Sequence, residues 1–87
     1  MMAGETNDEA LGLSALGWTL GDDARAERFL ALTGLTPEGL RARLTDRPTL
    51  AAVLRFLEAH EPDLIACAAD LRINPAEIPA TRQRLEA

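Results

Sequence analysis

Apolar residues recur along the chain at three- and four-residue spacing, in runs that break at Gly, Pro, Asp and Thr. The clearest run is "TDRPTLAAVLRFLEAH". In it Leu50, Val53, Leu54 and Leu57 fall at i, i+3, i+4 and i+7, the spacing of one face of an α-helix. Phe56 widens that face, and Ala51, Ala52 and Ala59 let neighbours approach closely. Thr45 or Asp46 is placed to cap the segment, which is expected to form the central helix of the fold.

The same reading extends in both directions. "TNDE" has the capping-box arrangement, so a first helix is expected from Thr6 or Asn7, with Leu13, Leu16 and Leu20 on its inner stripe and Gly21 at its end. Residues 1–5 are expected to be a disordered N-terminal tail. "GDDARAERFLALTG" predicts a second helix, capped by Asp22 or Asp23, filled by Phe29, Leu30 and Leu32, and stopped at Gly34 by a left-handed residue. In "LTGLTPEGL" Thr36 can cap and Pro37 fits a first helical turn, which predicts a short third helix with Leu40 and Leu44 facing inward. Pro62 opens a fifth helix with Leu64, Cys67, Ala68 and Leu71 on its inner stripe. "NPAE" opens a sixth, with Asn74 as cap, Glu77 closing the box, and Ile78 and Leu85 as anchors. "LTPEGL" is echoed by "INPAEI" 38 residues later, compatible with two three-helix halves, and both copies read as helix punctuation. The expected fold is therefore all-α: a compact bundle of five to six short helices in a single helical domain over residues 6–87.

Composition supports this and narrows the function. The apolar share is 47%, dominated by the helix formers alanine and leucine, with one valine, no tyrosine and only three aromatic residues, Trp18, Phe29 and Phe56. Those three could be core or a dimer interface. The formal charge is −5, which disfavours phosphate backbones and anionic membrane surfaces. Cys67 is the single cysteine, so neither an internal disulfide nor a cysteine-rich zinc site can form. The start "MMAGETNDEA" has no signal-peptide core, and no stretch is apolar for the ~20 residues of a membrane span, so a cytoplasmic protein is expected.

Taken together, "RFLALTGLTPEGLRARL", "LAAVLRFLEAHEPDLIACAA" and "INPAEI" resemble, in order and spacing, an uncharacterised bacterial family, domain of unknown function 3572. The similarity runs from about Leu13 to Leu85. It implies a small soluble helical protein with no assigned activity. One departure stands out: Arg72 occupies a slot where members of the family usually carry glycine. An arginine there disfavours a left-handed cap, so the connection between the fifth and sixth helices is expected to differ locally.

Candidate chemistry is sparse. Cys67 reads as a buried small hydrophobe. His60 is the only histidine, and "HEPDL" holds half of a metalloprotease motif, with proline where the motif needs helix interior. Glu58, His60, Glu61 and Asp63 could at most hold a divalent cation weakly. Ser14 is the only serine, and a serine–histidine pair would have to join it to His60 without any flanking oxyanion donor. No cofactor motif is present, and single scattered glycines make no phosphate-cradling loop. The best lead is Arg41, Arg43 and Arg47, with Arg25 and Arg28 possible neighbours. If Leu40 and Leu44 point inward, the arginines between them point outward, as a solvated face or as a docking patch for an acidic, unidentified protein partner. The expectation is a non-catalytic protein-interaction module. The alternative is a helix-turn-helix-like DNA-binding regulator, which the acidic total and the lack of Asn, Gln and Lys in that segment disfavour. A small enzyme or metal-binding protein ranks last.

Overall fold

In the computed structural model, which describes residues 3–87 and side chains from Asn7 onward, the chain forms six helices. They are α1 (Ala3–Leu20), α2 (Asp23–Thr33), α3 (Pro37–Arg41), α4 (Arg47–Glu58), α5 (Glu61–Leu71) and α6 (Glu77–Glu86). Among the described residues there is no strand. Three of the starts are fixed by the residues expected to fix them. Asp22, Thr36 and Asp46 each precede a helix and accept the backbone N–H three residues on, at 2.9, 3.0 and 3.0 Å. Each cap satisfies a donor that the first helical turn would otherwise leave unpaired. Asp46 also accepts the Thr49 hydroxyl at 2.7 Å, and these bonds hold its carboxyl below the usual carboxylate range. Gly34 stops α2 at φ 75°, its N–H donating to the Leu30 carbonyl.

Helix α4 is the hub, in contact with α1, α2, α5 and α6. Leu50, Val53, Leu54 and Leu57 are wholly buried, and Ala15, Leu16, Phe29, Leu40, Cys67, Ala68, Ile78 and Leu85 close the core around them. The aromatic residues belong to this interior. Phe29 and Phe56 meet edge to face, centroids 5.4 Å apart, a geometry worth about 0.5–1.5 kcal/mol beyond area burial. Trp18 is half-buried against the core, with the Arg25 guanidinium 3.6 Å above its ring and its indole N–H donating to Asp70 at 2.6 Å. The radius of gyration, 12.0 Å, equals the value of about 12 Å that 87 residues packed as one body should have.

Helix α1 departs from expectation in two ways. Its backbone is already helical at Ala3, so Thr6 lies within the helix instead of capping it, and the expected tail reaches Met1 and Met2, which lie outside the described residues. Its buried stripe is Asp8, Gly12, Ala15, Leu16 and Thr19, while Leu13 and Leu20 keep 38% and 39% of their surface exposed. The reason is closeness. Gly12 lies so near α4 that a Cβ there would stand 3.0 Å from the Cβ of Leu50, so small residues together with Leu16, and not Leu13 or Leu20, are buried. Buried Thr19 donates its hydroxyl to the Ala15 carbonyl at 2.8 Å, and Asp8 receives the Arg84 guanidinium at 3.0 Å.

The α5–α6 connection also corrects the sequence reading. Arg72 does adopt the left-handed conformation, φ 60° and ψ 46°. Its N–H bonds the Ala69 carbonyl and the Ile73 N–H bonds that of Ala68, the paired bonds of a Schellman turn. Ile73 packs against the core just beyond, which holds the arginine in a backbone shape glycine would take without strain. Half of the expected capping box forms: the Glu77 carboxylate accepts the Asn74 N–H at 3.1 Å, while the Asn74 side chain accepts the Ala76 N–H at 2.9 Å instead of that of Glu77. Regular helix nevertheless starts only at Glu77, after a tight turn closed by the Glu77 N–H on the Asn74 carbonyl.

Three substitutions test this packing and backbone geometry. Gly12→Ala should lower stability by about 1 kcal/mol, because overpacking against Leu50 outweighs the helix propensity gained. Gly17→Ala, with nothing within 4 Å of the added Cβ, should raise it by about 0.5–1 kcal/mol in the same urea titration. Arg72→Gly should raise stability by about 0.5–1 kcal/mol, the relief of the left-handed arginine less the added chain entropy of glycine.

Candidate functional site

The arginines show where the surface is committed and where it is not. Six of the nine are tied down. Arg25 donates to the last carbonyls of α1, those of Trp18 and Thr19. Arg28 pairs with Asp63 and lies over Phe56. Arg82 bridges Glu58 and Glu86 at 2.5 and 2.8 Å, and Arg55 meets Glu86 at 2.7 Å. The Arg55 hydrogen bond, helped by that from Arg82, holds the Glu86 carboxyl below the usual range. Among the described residues, Arg41, Arg43 and Arg72 make no ion pair or side-chain hydrogen bond.

The predicted patch therefore divides. Arg47 is half-buried at the start of α4 and donates to the Arg84 carbonyl at 2.8 Å, which ties α4 to the end of α6. It lines a depression with Pro48, Ala52, Arg55 and Leu85, separate from Arg41. Arg43 is exposed in the turn after α3, where its charge adds to the field that lowers the Asp46 carboxyl. Arg41 is exposed at the end of α3 and lines a groove of about 340 Å³ with Leu20, Leu30, Pro37, Leu40 and Leu44. Arg25 and Arg28 belong to the Trp18 and Asp63 contacts and not to this face.

The groove exists because α3 is only five residues long. Leu40 is still helical and turns into the core, but Leu44 comes after the helix has ended and keeps 39% exposure instead of facing inward. Leu20, the last residue of α1 before Gly21, stands at the groove with equal exposure. Both leucines depart from the inner stripes that their spacing predicts. Their position at helix ends, beside Gly21 and within "RARLTD", was the available signal that they would not be fully covered.

The other candidates do not converge. Ser14 borders a shallow depression beside Leu71 and Ile73, at the far end of α5, whereas His60 caps the start of that helix. The eleven residues of α5 put about 16 Å between the two ends. Glu58 is held by Arg82, and Asp63 accepts from Arg28, with His60 Nδ1 3.0 Å from its carboxylate. Among the described residues no group of three or more His, Cys, Asp or Glu side chains is arranged to hold a metal ion. Cys67 is fully buried, and burial pushes its thiol up to about 11, away from the thiolate a nucleophile needs.

The fold and surface thus define a small all-helical domain with an apolar groove beside an unpaired arginine and no assembled catalytic cluster among the described residues. The chain belongs to the family described as protein of unknown function DUF3572, which it matches over residues 5–87. No curated protein and no solved structure matches it. Among the described residues no helix is long and apolar enough to cross a membrane.

Proposed function

We propose that this chain is a non-catalytic protein-interaction module of the cytoplasm, and that the groove between α1, α2 and α3 is its docking surface. The observation that carries this reading is the groove's makeup: five apolar residues and Arg41, with Leu20 and Leu44 left 39% exposed. Apolar side chains gathered in one concave place gain most from being covered, whereas leucines scattered singly over a surface need no partner. Leu32, at 72% exposure on α2, lies away from this groove, in a smaller depression of about 280 Å³ with Phe56 and Ala59.

The competing reading, a DNA-binding regulator, asks more of α3 than its length supports. A five-residue helix is about 7 Å long, and its exposed side chains include no Asn or Gln for adenine edges. The net charge of −5 adds long-range repulsion from phosphates.

Affinity capture from a lysate of the source organism, run in parallel with Leu44→Asp, tests the proposal. The native chain should retain a protein in stoichiometric amount, and Leu44→Asp should lose it while its Tm stays within a few degrees. Retention of no protein, or of one that Leu44→Asp keeps equally well, would contradict the reading. Salt-sensitive binding to duplex DNA at low ionic strength would favour the regulator instead.

A further inference from the structure

We propose that the groove takes an amphipathic helix of a partner protein that places a carboxylate against Arg41 beside its apolar anchors. This rests on the interaction reading above and adds the chemistry of the partner. The backbone around the groove is helical or capped. It offers no open strand edge, so recognition by strand addition is not available and side chains must carry it. Leu20, Leu30, Leu40 and Leu44 form an apolar lining that receives the anchors of such a helix. At about 340 Å³ the groove sits near the lower bound for enclosing a small ligand. An elongated occupant that inserts a few side chains and leaves its other face in water suits it better.

Charge then selects among such helices. Of the arginines on this domain, Arg41 is the one that both lines the groove and makes no ion pair among the described residues. A carboxylate brought beside it gains a charge-assisted, potentially bidentate hydrogen bond, and a lysine brought there meets a like charge. The net charge of −5 repels acidic molecules at a distance, but screening confines that repulsion to about 8–10 Å at physiological salt. The apolar anchors therefore supply most of the affinity, and Arg41 supplies discrimination between acidic and basic helices.

The test uses the full chain and three fluorescein-labelled 16-residue peptides, read by anisotropy. One carries leucine at i, i+3, i+4 and i+7 with glutamate flanks; the second replaces each glutamate by lysine; the third replaces each leucine by serine. The acidic peptide should bind, the lysine peptide about fivefold or more weakly, and the serine peptide not at all. Arg41→Glu should abolish or reverse the preference between the first two peptides, and Leu44→Asp should weaken both. Equal binding of acidic and basic peptides, still lost in Leu44→Asp, would overturn the charge assignment and leave the docking surface standing. Saturable binding of none of the three would overturn the proposal as a whole, while the captured partner's response to Leu44→Asp judges the interaction reading separately.

Discussion

The structure depends on the burial of one helix face. Leu50, Val53, Leu54 and Leu57 on α4 are wholly removed from water, and a domain of this size has no second core to fall back on. A fully buried aliphatic side chain contributes about 1.5–3 kcal/mol, comparable to a sizeable part of a small domain's net stability. Helices α1, α2, α5 and α6 are placed by what they bring to that face. Helix α6 brings Ile78 and Leu85, α5 brings Cys67 and Ala68, and α2 brings Phe29. Helix α1 brings mainly smallness: Gly12 and Ala15 let two backbones come close enough for Leu50 to fill the space between them.

The polar network follows from that packing. Buried Asp8 and Thr19 face inward on α1 because α1 lies so close, and each is satisfied, by Arg84 and by the Ala15 carbonyl. No buried side-chain nitrogen or oxygen among the described residues lacks a partner. Arginine does most of this work at the edges, closing the end of α1 through Arg25 and joining α4 to α6 through Arg47, Arg55 and Arg82. Exposed pairs of this kind contribute little singly, but they hold neighbouring helix ends in register. Arg41, Arg43 and Arg72 remain outside the network among the described residues, and of these Arg41 lies beside the half-covered leucines of the groove that we propose as the docking surface.

Much of this was legible in the residues. The caps at Asp22, Thr36 and Asp46, the left-handed stop at Gly34 and the apolar face of α4 are local features, set by a few neighbouring side chains, and each forms as its sequence dictates. The errors lie where distant elements decide. Leu13, Leu16 and Leu20 form one expected stripe on α1, yet the closeness of α4 puts Gly12, Ala15 and Leu16 in the interior and leaves Leu13 and Leu20 partly exposed. Arg72 takes a backbone shape unfavourable to it because the Schellman bonds and the packing of Ile73 leave no alternative. The arginine lead was only partly readable for the same reason. Arg41, Arg43 and Arg47 are close in sequence, but the end of α3 and the start of α4 turn them to different surroundings. The groove itself was hidden because its walls come from three helices.

If the buried face of α4 is the element on which the rest depends, it should be the last to open. Amide hydrogen exchange measured residue by residue tests this directly. The amides of Leu54, Phe56 and Leu57 should exchange only through global unfolding, with protection matching the free energy from denaturant titration, while those of α3 exchange through local opening at lower cost. Amides of α4 that exchange as fast as those of α3 would contradict the account.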